Sequence, residues 1–156
     1  MNLQRREALK AGGGLGLFGL LAAAGLITPG QARAEWNKSA FDAKTIEETL
    51  KALGAGTPAN SADVQLTAPD IAENGAVVPL AVASNLPGVK RLLVLVEKNP
   101  NALVAVFNVT PEVDVSFATR SKMGESSDVY AVAITTDGKA HYAKKAVTVT
   151  LGGCGV

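Results

Sequence analysis

The residue best placed to do chemistry is Cys154, the one cysteine among 156 residues, set two positions from the end in Leu151-Gly152-Gly153-Cys154-Gly155-Val156. Glycine lacks a Cβ and ranges widely in φ and ψ, so such a run loses much entropy if ordered and has few side chains to bury. Residues 152–156 are therefore expected to form a mobile arm, with Gly152, Gly153, Gly155 and Val156 around the thiol. The reactive form of cysteine is the thiolate, whose ordinary pKa is about 8.5. No Lys, Arg or His adjoins Cys154, and the terminal carboxylate opposes ionisation. A cysteine that catalyses alone needs a base held within hydrogen-bond reach, which a moving arm cannot hold. The pattern suits a covalent attachment point for something outside the chain.

The other end of the sequence looks like an export signal. Met1–Lys10 carries Arg5, Arg6 and Lys10; Ala11–Ile27 is uncharged; Pro29 then precedes Ala32-Arg33-Ala34, a small-residue cleavage site. The uncharged run has 17 residues with six glycines, short of the roughly 20 that a spanning helix needs. Gln4-Arg5-Arg6-Glu7-Ala8-Leu9-Lys10 resembles a twin-arginine signal, with Gln4 and Ala8 departing from its usual serine and phenylalanine. Cleavage after Ala34 is expected to release a periplasmic chain with no membrane anchor. The 34 residues removed hold four of the 15 Lys and Arg and one of the 14 Asp and Glu, leaving 11 basic and 13 acidic side chains. That balance offers no nucleic-acid surface. An unpaired cysteine in an oxidising compartment implies intermolecular pairing or a free thiol.

The elements that position the arm follow from periodicity. Ser39 with Asp42 is read as a helix start. Ala43, Ile46, Leu50 and Leu53 fall at helical spacing before Gly54, Gly56 and Pro58, so one amphipathic helix of about four turns is expected. After Asn60 the period changes to two. Val64 and Leu66 alternate before Ala68-Pro69-Asp70; Val78, Leu80 and Val82 alternate, with Pro79 suggesting an edge. Arg91–Val96 is nearly continuous apolar, as in a strand covered on both faces, and Leu103–Val109 is another β-rich run. Val113, Val115 and Phe117 alternate with Asp114, Ser116 and Ala118, and Arg120–Asp128 reads as a polar loop. Tyr130, Val132 and Ile134 lead into Asp137-Gly138, a two-residue hairpin signal. The return strand, Lys139–Leu151, runs directly into the arm. Seven strands after one short N-terminal helix predict an all-β domain over 35–151, an immunoglobulin-like antiparallel β-sandwich. From Gly152 the arm can carry the thiol on the order of 10 Å beyond the sheet.

Rival chemistries fit less well. Blue copper needs two histidines beside its cysteine, and the chain has only His141; neither metal nor cofactor is expected. Met123, in the polar loop, is read as exposed or half-buried, and His141 as a surface residue. A prenyl box needs its cysteine fourth from the end, where this one is third. Asp137 is a turn residue, and Lys144-Lys145 reads as a bulge, an edge guard or a solvated face. Trp36 and Phe41 either cover one end of the sandwich or meet a partner subunit. A fraying terminus with an incidental cysteine is the plainest alternative.

The ending Gly152-Gly153-Cys154-Gly155 closely resembles the Gly-Gly-Cys-Gly-Gly terminus of the SoxY family, sulfur carriers of bacterial thiosulfate oxidation. Val156 stands where that family has glycine, and its β-branch makes the tip stiffer. The resemblance implies that Cys154 bears thiosulfate-derived intermediates, and that the chain pairs with a SoxZ-like subunit. It also implies that SoxAX-, SoxB- and SoxCD-like enzymes act on the cargo: a haem enzyme couples thiosulfate to the thiol, a manganese hydrolase removes sulfate, and a dehydrogenase oxidises the remaining sulfur. The carrier itself turns nothing over. The alternative is an exported immunoglobulin-like structural or binding module that uses Cys154 for an intermolecular disulfide; a thiol enzyme is a third, weaker fit.

Overall fold

The structure is a computed structural model and describes residues 37–150. The expected export signal, Trp36, Leu151 and the arm 152–156 lie outside the described residues.

Among the described residues two short helices come first, α1 (Lys38–Asp42) and α2 (Ile46–Ala52), where one continuous helix was expected. The break is at Ala43, whose ψ of 139° is extended. Its cause is a second helix start that outcompetes continuation. Thr45 caps α2 by accepting from the Glu48 amide while the Glu48 side chain accepts from the Thr45 amide, a reciprocal capping box that satisfies two otherwise orphaned donors. Asn37, rather than Ser39, caps α1, with Oδ1 accepting from Ala40 N at 3.1 Å.

Nine strands follow: β1 (Ala59–Asn60), β2 (Val64–Thr67), β3 (Ile71–Ala72), β4 (Val78–Ser84), β5 (Val89–Val96), β6 (Leu103–Asn108), β7 (Ser116–Ser121), β8 (Ser127–Thr135) and β9 (Ala140–Val149). They form an immunoglobulin-like sandwich. The larger sheet runs β1-β9-β8-β5-β6, with β3 also on β9, and the smaller runs β2-β4-β7. Neighbours pair antiparallel, except that β1 and β3 lie parallel to β9.

β5 is the strand around which both cores form. Leu92, Val94 and Val96 face the smaller sheet and pack with Val78, Leu80, Val82 and Met123. Leu93 and Leu95 face the helices and pack with Ala40, Ile46 and Leu50. All five of these β5 residues are 0 % exposed, because each face of the strand has its own cover. Burial of this kind stabilises by about 1.5–3 kcal/mol per large side chain.

Pro79 belongs to β4, the middle strand of its sheet, rather than to an edge. β2 pairs only with Ala81–Ser84, so Pro79 lies beyond its end. Ser84 N donates toward β7, and the alternation of amides turns the Pro79 nitrogen to the side that β2 has left empty. Arg120 and Ser121 are strand rather than loop, and Val113 and Val115 precede β7. Met123 is 0 % exposed, a core residue rather than an exposed one.

The mount of the C-terminal arm as candidate functional site

β9 is the strand that precedes the glycine-flanked Cys154 in sequence, and its hairpin end is built by turn chemistry. Gly138 adopts φ 82°, a left-handed conformation that costs other residues about 1–2 kcal/mol. Asp137 accepts from Thr135 Oγ1 and pairs with Lys139 at 2.8 Å. Those two partners hold the Asp137 carboxyl below the usual carboxylate range, and Asp137 raises Lys139 in return.

At the other end the β8–β9 ladder closes with Ser127 opposite Val147, so Thr148, Val149 and Thr150 need other partners. On the β8 flank, Ser126 Oγ accepts from Val149 N at 2.9 Å. On the opposite flank β3 takes over, with Ile71 beside Thr148 and Ala72 beside Val149. Thr148 N donates to Asp70 O at 2.9 Å, and Thr150 N donates to Ala72 O at 3.1 Å. The Thr150 hydroxyl donates to Glu73 O at 3.0 Å. Each such bond contributes about 0.5–1.5 kcal/mol, and together they hold the strand on both sides as far as Val149 and on the β3 side as far as Thr150.

The partners are themselves secured. Lys145 Nζ donates to Ala68 O at 2.6 Å and pairs with Asp70 at 3.0 Å, stitching the segment before β3 to β9. Met123 N donates to Gly75 O at 2.7 Å, so the loop before Ser126 is tied to the loop after β3. The buried Met123 side chain fixes that junction to the sandwich core. The apolar side chain of Ile71 is 61 % exposed beside this strand.

The remaining candidates are spread over the molecule. The β8–β9 register runs unbroken through Lys144 and Lys145, so the pair is not a bulge. Lys144 meets Asp128 at 2.8 Å, an ion pair that raises its pKa. His141 is half-buried, in register with Ala133 and Ala59. Phe41 packs against the helix-side core, so it covers that face of the large sheet. A cleft of about 390 Å³ beside α2 is lined in part by Lys44, Glu97, Tyr130 and Tyr142. Burial first, and then Glu97, raise the pKa of Tyr130. Among the described residues, no three His, Cys, Asp or Glu side chains converge, and no helix is long and apolar enough to cross a membrane. Cys154 and the residues around it lie outside the described residues.

Sequence reasoning missed β1, β3 and Ser126. β1 and β3 have two residues each, too few for alternation to register. The capping box at Thr45–Glu48 was legible as a Thr-x-x-Glu spacing, and Ser39–Asp42 was read in its place.

A family model described as "Sulfur oxidation protein SoxY" matches residues 50–154, from α2 through β9 to the cysteine. The chain belongs to the SoxY family. The sulfur carrier protein SoxY from Chlorobium limicola f thiosulfatophilum is 30% identical, with a TM-score of 0.61 over 69% of this chain and 97% of that one. A variant superoxide reductase (neelaredoxin) from Ignicoccus hospitalis is 12% identical, with a TM-score of 0.49 over 55% of this chain and 78% of its own. No curated protein sequence matches.

Proposed function

We propose that this SoxY-family chain is a periplasmic sulfur carrier whose Cys154 holds thiosulfate-derived intermediates covalently and presents them to partner enzymes. The observation that carries this reading is the order of parts toward the C-terminus: a strand held on both flanks to Val149, then a glycine-flanked sole cysteine. A rigid strand end defines where a swinging arm starts, and glycines let the thiol reach into a narrow cleft. The mount contributes carbonyls, hydroxyls and the carboxylate of Asp70, and a carboxylate does not favour a thiolate. Activation therefore falls to each partner's site.

Loading forms an S–S bond between Cys154 Sγ and the terminal sulfur of thiosulfate. It releases a proton and an electron pair, which a SoxAX-like haem enzyme takes up. A SoxB-like hydrolase and a SoxCD-like dehydrogenase then work on the bound sulfur, so this chain is a substrate carrier rather than an enzyme. Residues 1–34 serve as the export signal, 152–156 as the arm, and a SoxZ-like subunit as the companion chain.

The test is replacement of Cys154 by Ser in a thiosulfate-oxidising host. The expected result is loss of thiosulfate-dependent oxygen uptake with unchanged amounts of folded protein. Undiminished uptake would rule the carrier role out.

A further inference from the structure

We propose that Asn74-Gly75, in the loop after β3, is a self-modifying site: the Gly75 nitrogen displaces the side-chain amide of Asn74, and the isoaspartyl linkage that results loosens the end of β9. This inference does not rest on the carrier reading and does not involve Cys154.

Asn74 is the one asparagine in the chain followed by glycine. With no Cβ, glycine leaves its nitrogen open to approach by the preceding side chain. Elsewhere among the described residues the nitrogen that would attack is engaged or cannot ionise. The amides that follow Asn60, Asn101 and Asn108 donate to Tyr142 O, Ala43 O and Lys90 O, and the one after Asn85 donates to Ser84 Oγ. Asn99 precedes Pro100, which has no N–H. Asn37 has its side chain held at both ends, Nδ2 donating to Ala52 O and Oδ1 accepting from Ala40 N. The Gly75 N–H, in contrast, has no hydrogen-bond partner among the described residues. Gly75 is buried, and an unpaired N–H at a buried residue is uncommon. Closing a ring onto its nitrogen removes that orphan donor.

The Asn74 side chain is set for ring closure. Its Oδ1 accepts from Ala76 N at 2.8 Å. The ring closed by this hydrogen bond contains both Asn74 Cγ and Gly75 N, so the side chain is folded toward the nitrogen that attacks it. Attack forms a bond from Gly75 N to Asn74 Cγ while the Gly75 proton passes to water. Negative charge then develops on Oδ1, where Ala76 N already donates, and a donor aimed at that oxygen stabilises the tetrahedral intermediate. Asn74 is exposed and its Nδ2 has no hydrogen-bond partner among the described residues, so breaking the Cγ–Nδ2 bond releases ammonia to solvent. Water opens the succinimide at either carbonyl and leaves aspartate or isoaspartate at position 74. No electrons are exchanged, and water is the sole co-reactant.

The consequence follows from what is anchored on either side. After Asn74, Gly75 O accepts from Met123 N at 2.7 Å. Before it, Glu73 O accepts from the Thr150 hydroxyl at 3.0 Å, and Ala72 O accepts from Thr150 N at 3.1 Å. Isoaspartate carries the main chain through Cβ and Cγ, which inserts a methylene between these anchors. It also turns the Asn74 carbonyl, the acceptor of Val77 N at 3.4 Å, into a free carboxylate. The lengthened loop cannot keep both the Met123 and the Thr150 bonds at their present geometry. Aspartate leaves the main chain intact and adds only a charge, so the isoaspartyl product is the one that loosens the strand end.

The test uses the Cys154→Ser chain, so that thiol chemistry does not intervene. The folded protein is held at mildly alkaline pH, sampled over time and digested, and the peptide containing position 74 is followed by mass spectrometry and by methyl acceptance specific for isoaspartate. Aspartyl and isoaspartyl forms should accumulate at position 74 ahead of every other asparagine, and faster as pH rises, because the Gly75 nitrogen must lose its proton. The added carboxylate allows the converted protein to be separated by ion exchange. In its isoaspartyl fraction the Met123 or Thr150 amide should exchange roughly two- to tenfold faster, the loss of one hydrogen bond, while the Val132 amide keeps its rate. Asn74→Ser retains an oxygen for Ala76 N but has no amide to lose, and should show neither change on incubation. If that variant fails to fold, the time course of the chain with Asn74 decides alone. An Asn74 that stays amidated in the folded chain while the urea-unfolded chain converts would overturn the proposal. So would earlier conversion at another asparagine, or isoaspartate at position 74 with unchanged exchange at both Met123 and Thr150.

Discussion

The two ends of β9 are held by different means. At the hairpin end the turn itself closes within five residues, where Gly138 supplies the left-handed conformation and Asp137 ties Thr135 to Lys139, and Gly56, Gly88 and β1 add contacts to it. At the arm end, the partners of Thr148–Thr150 come from Asp70–Glu73 and Ser126, separated by 77 residues in the Thr150–Glu73 bond. A turn closes a hairpin cheaply because its contacts are local. At the other end the main ladder has run out by Val147, and distant segments flank Thr148–Thr150 instead.

The largest effect should come from removing what secures the mount to the core. Met123→Ala is expected to destabilise by about 2–5 kcal/mol, read as a shift in the urea midpoint. Beyond that global change, the Val149 and Thr150 amides should lose protection more than those at the hairpin end. Equal loss at both ends would erase the distinction drawn here.

Ser126→Ala is expected to cost about 0.5–1.5 kcal/mol, because the substitution removes the acceptor of Val149 N. Hydrogen exchange should speed up at Val149 while Ala140–Tyr142 keep their rates. An unchanged Val149 rate would mean that β3 alone holds the strand end.

The smallest effect belongs to the hairpin. Asp137 has its pKa lowered by Lys139 and Thr135. A lowered carboxyl pKa contributes stability that is present above the unfolded value near 3.9 and lost as pH falls through the folded value. The carboxyl is exposed, so solvent screening keeps this contribution small. Carboxyl NMR titration should find Asp137 still ionised at about pH 3, where ordinary Asp side chains are largely protonated. Lys139→Ala should move its titration upward. Titration at the ordinary value in the unsubstituted chain would show that the turn contacts do not persist in solution.

This contrast also explains what the sequence made legible. The two-sided burial of Arg91–Val96 could be read from its unbroken apolar run, and the Asp137-Gly138 hairpin from local turn chemistry. The break at Ala43 was obscured because Ala43, Ile46, Leu50 and Leu53 keep helical spacing across it; the capping box, not the apolar stripe, sets the boundary. Met123 was misjudged because one apolar residue in a polar stretch has no period, and only the fold carries it into the core. β3 was missed because its role is set by β9, far along the chain. Of the candidate site, the strand that precedes the glycine-flanked cysteine was legible in sequence. The support at Asp70–Glu73 and Ser126 was not, since nothing local to those residues marks them as partners of Thr148–Thr150.

The most direct test of the central claim is peptide-level mass spectrometry of the protein recovered from cells oxidising thiosulfate. The account predicts sulfur-containing adducts that a reductant removes, confined to the fragment bearing Cys154 and absent from Cys154→Ser. A Cys154 fragment found only as free thiol or as a disulfide between chains, in cells actively oxidising thiosulfate, would contradict it.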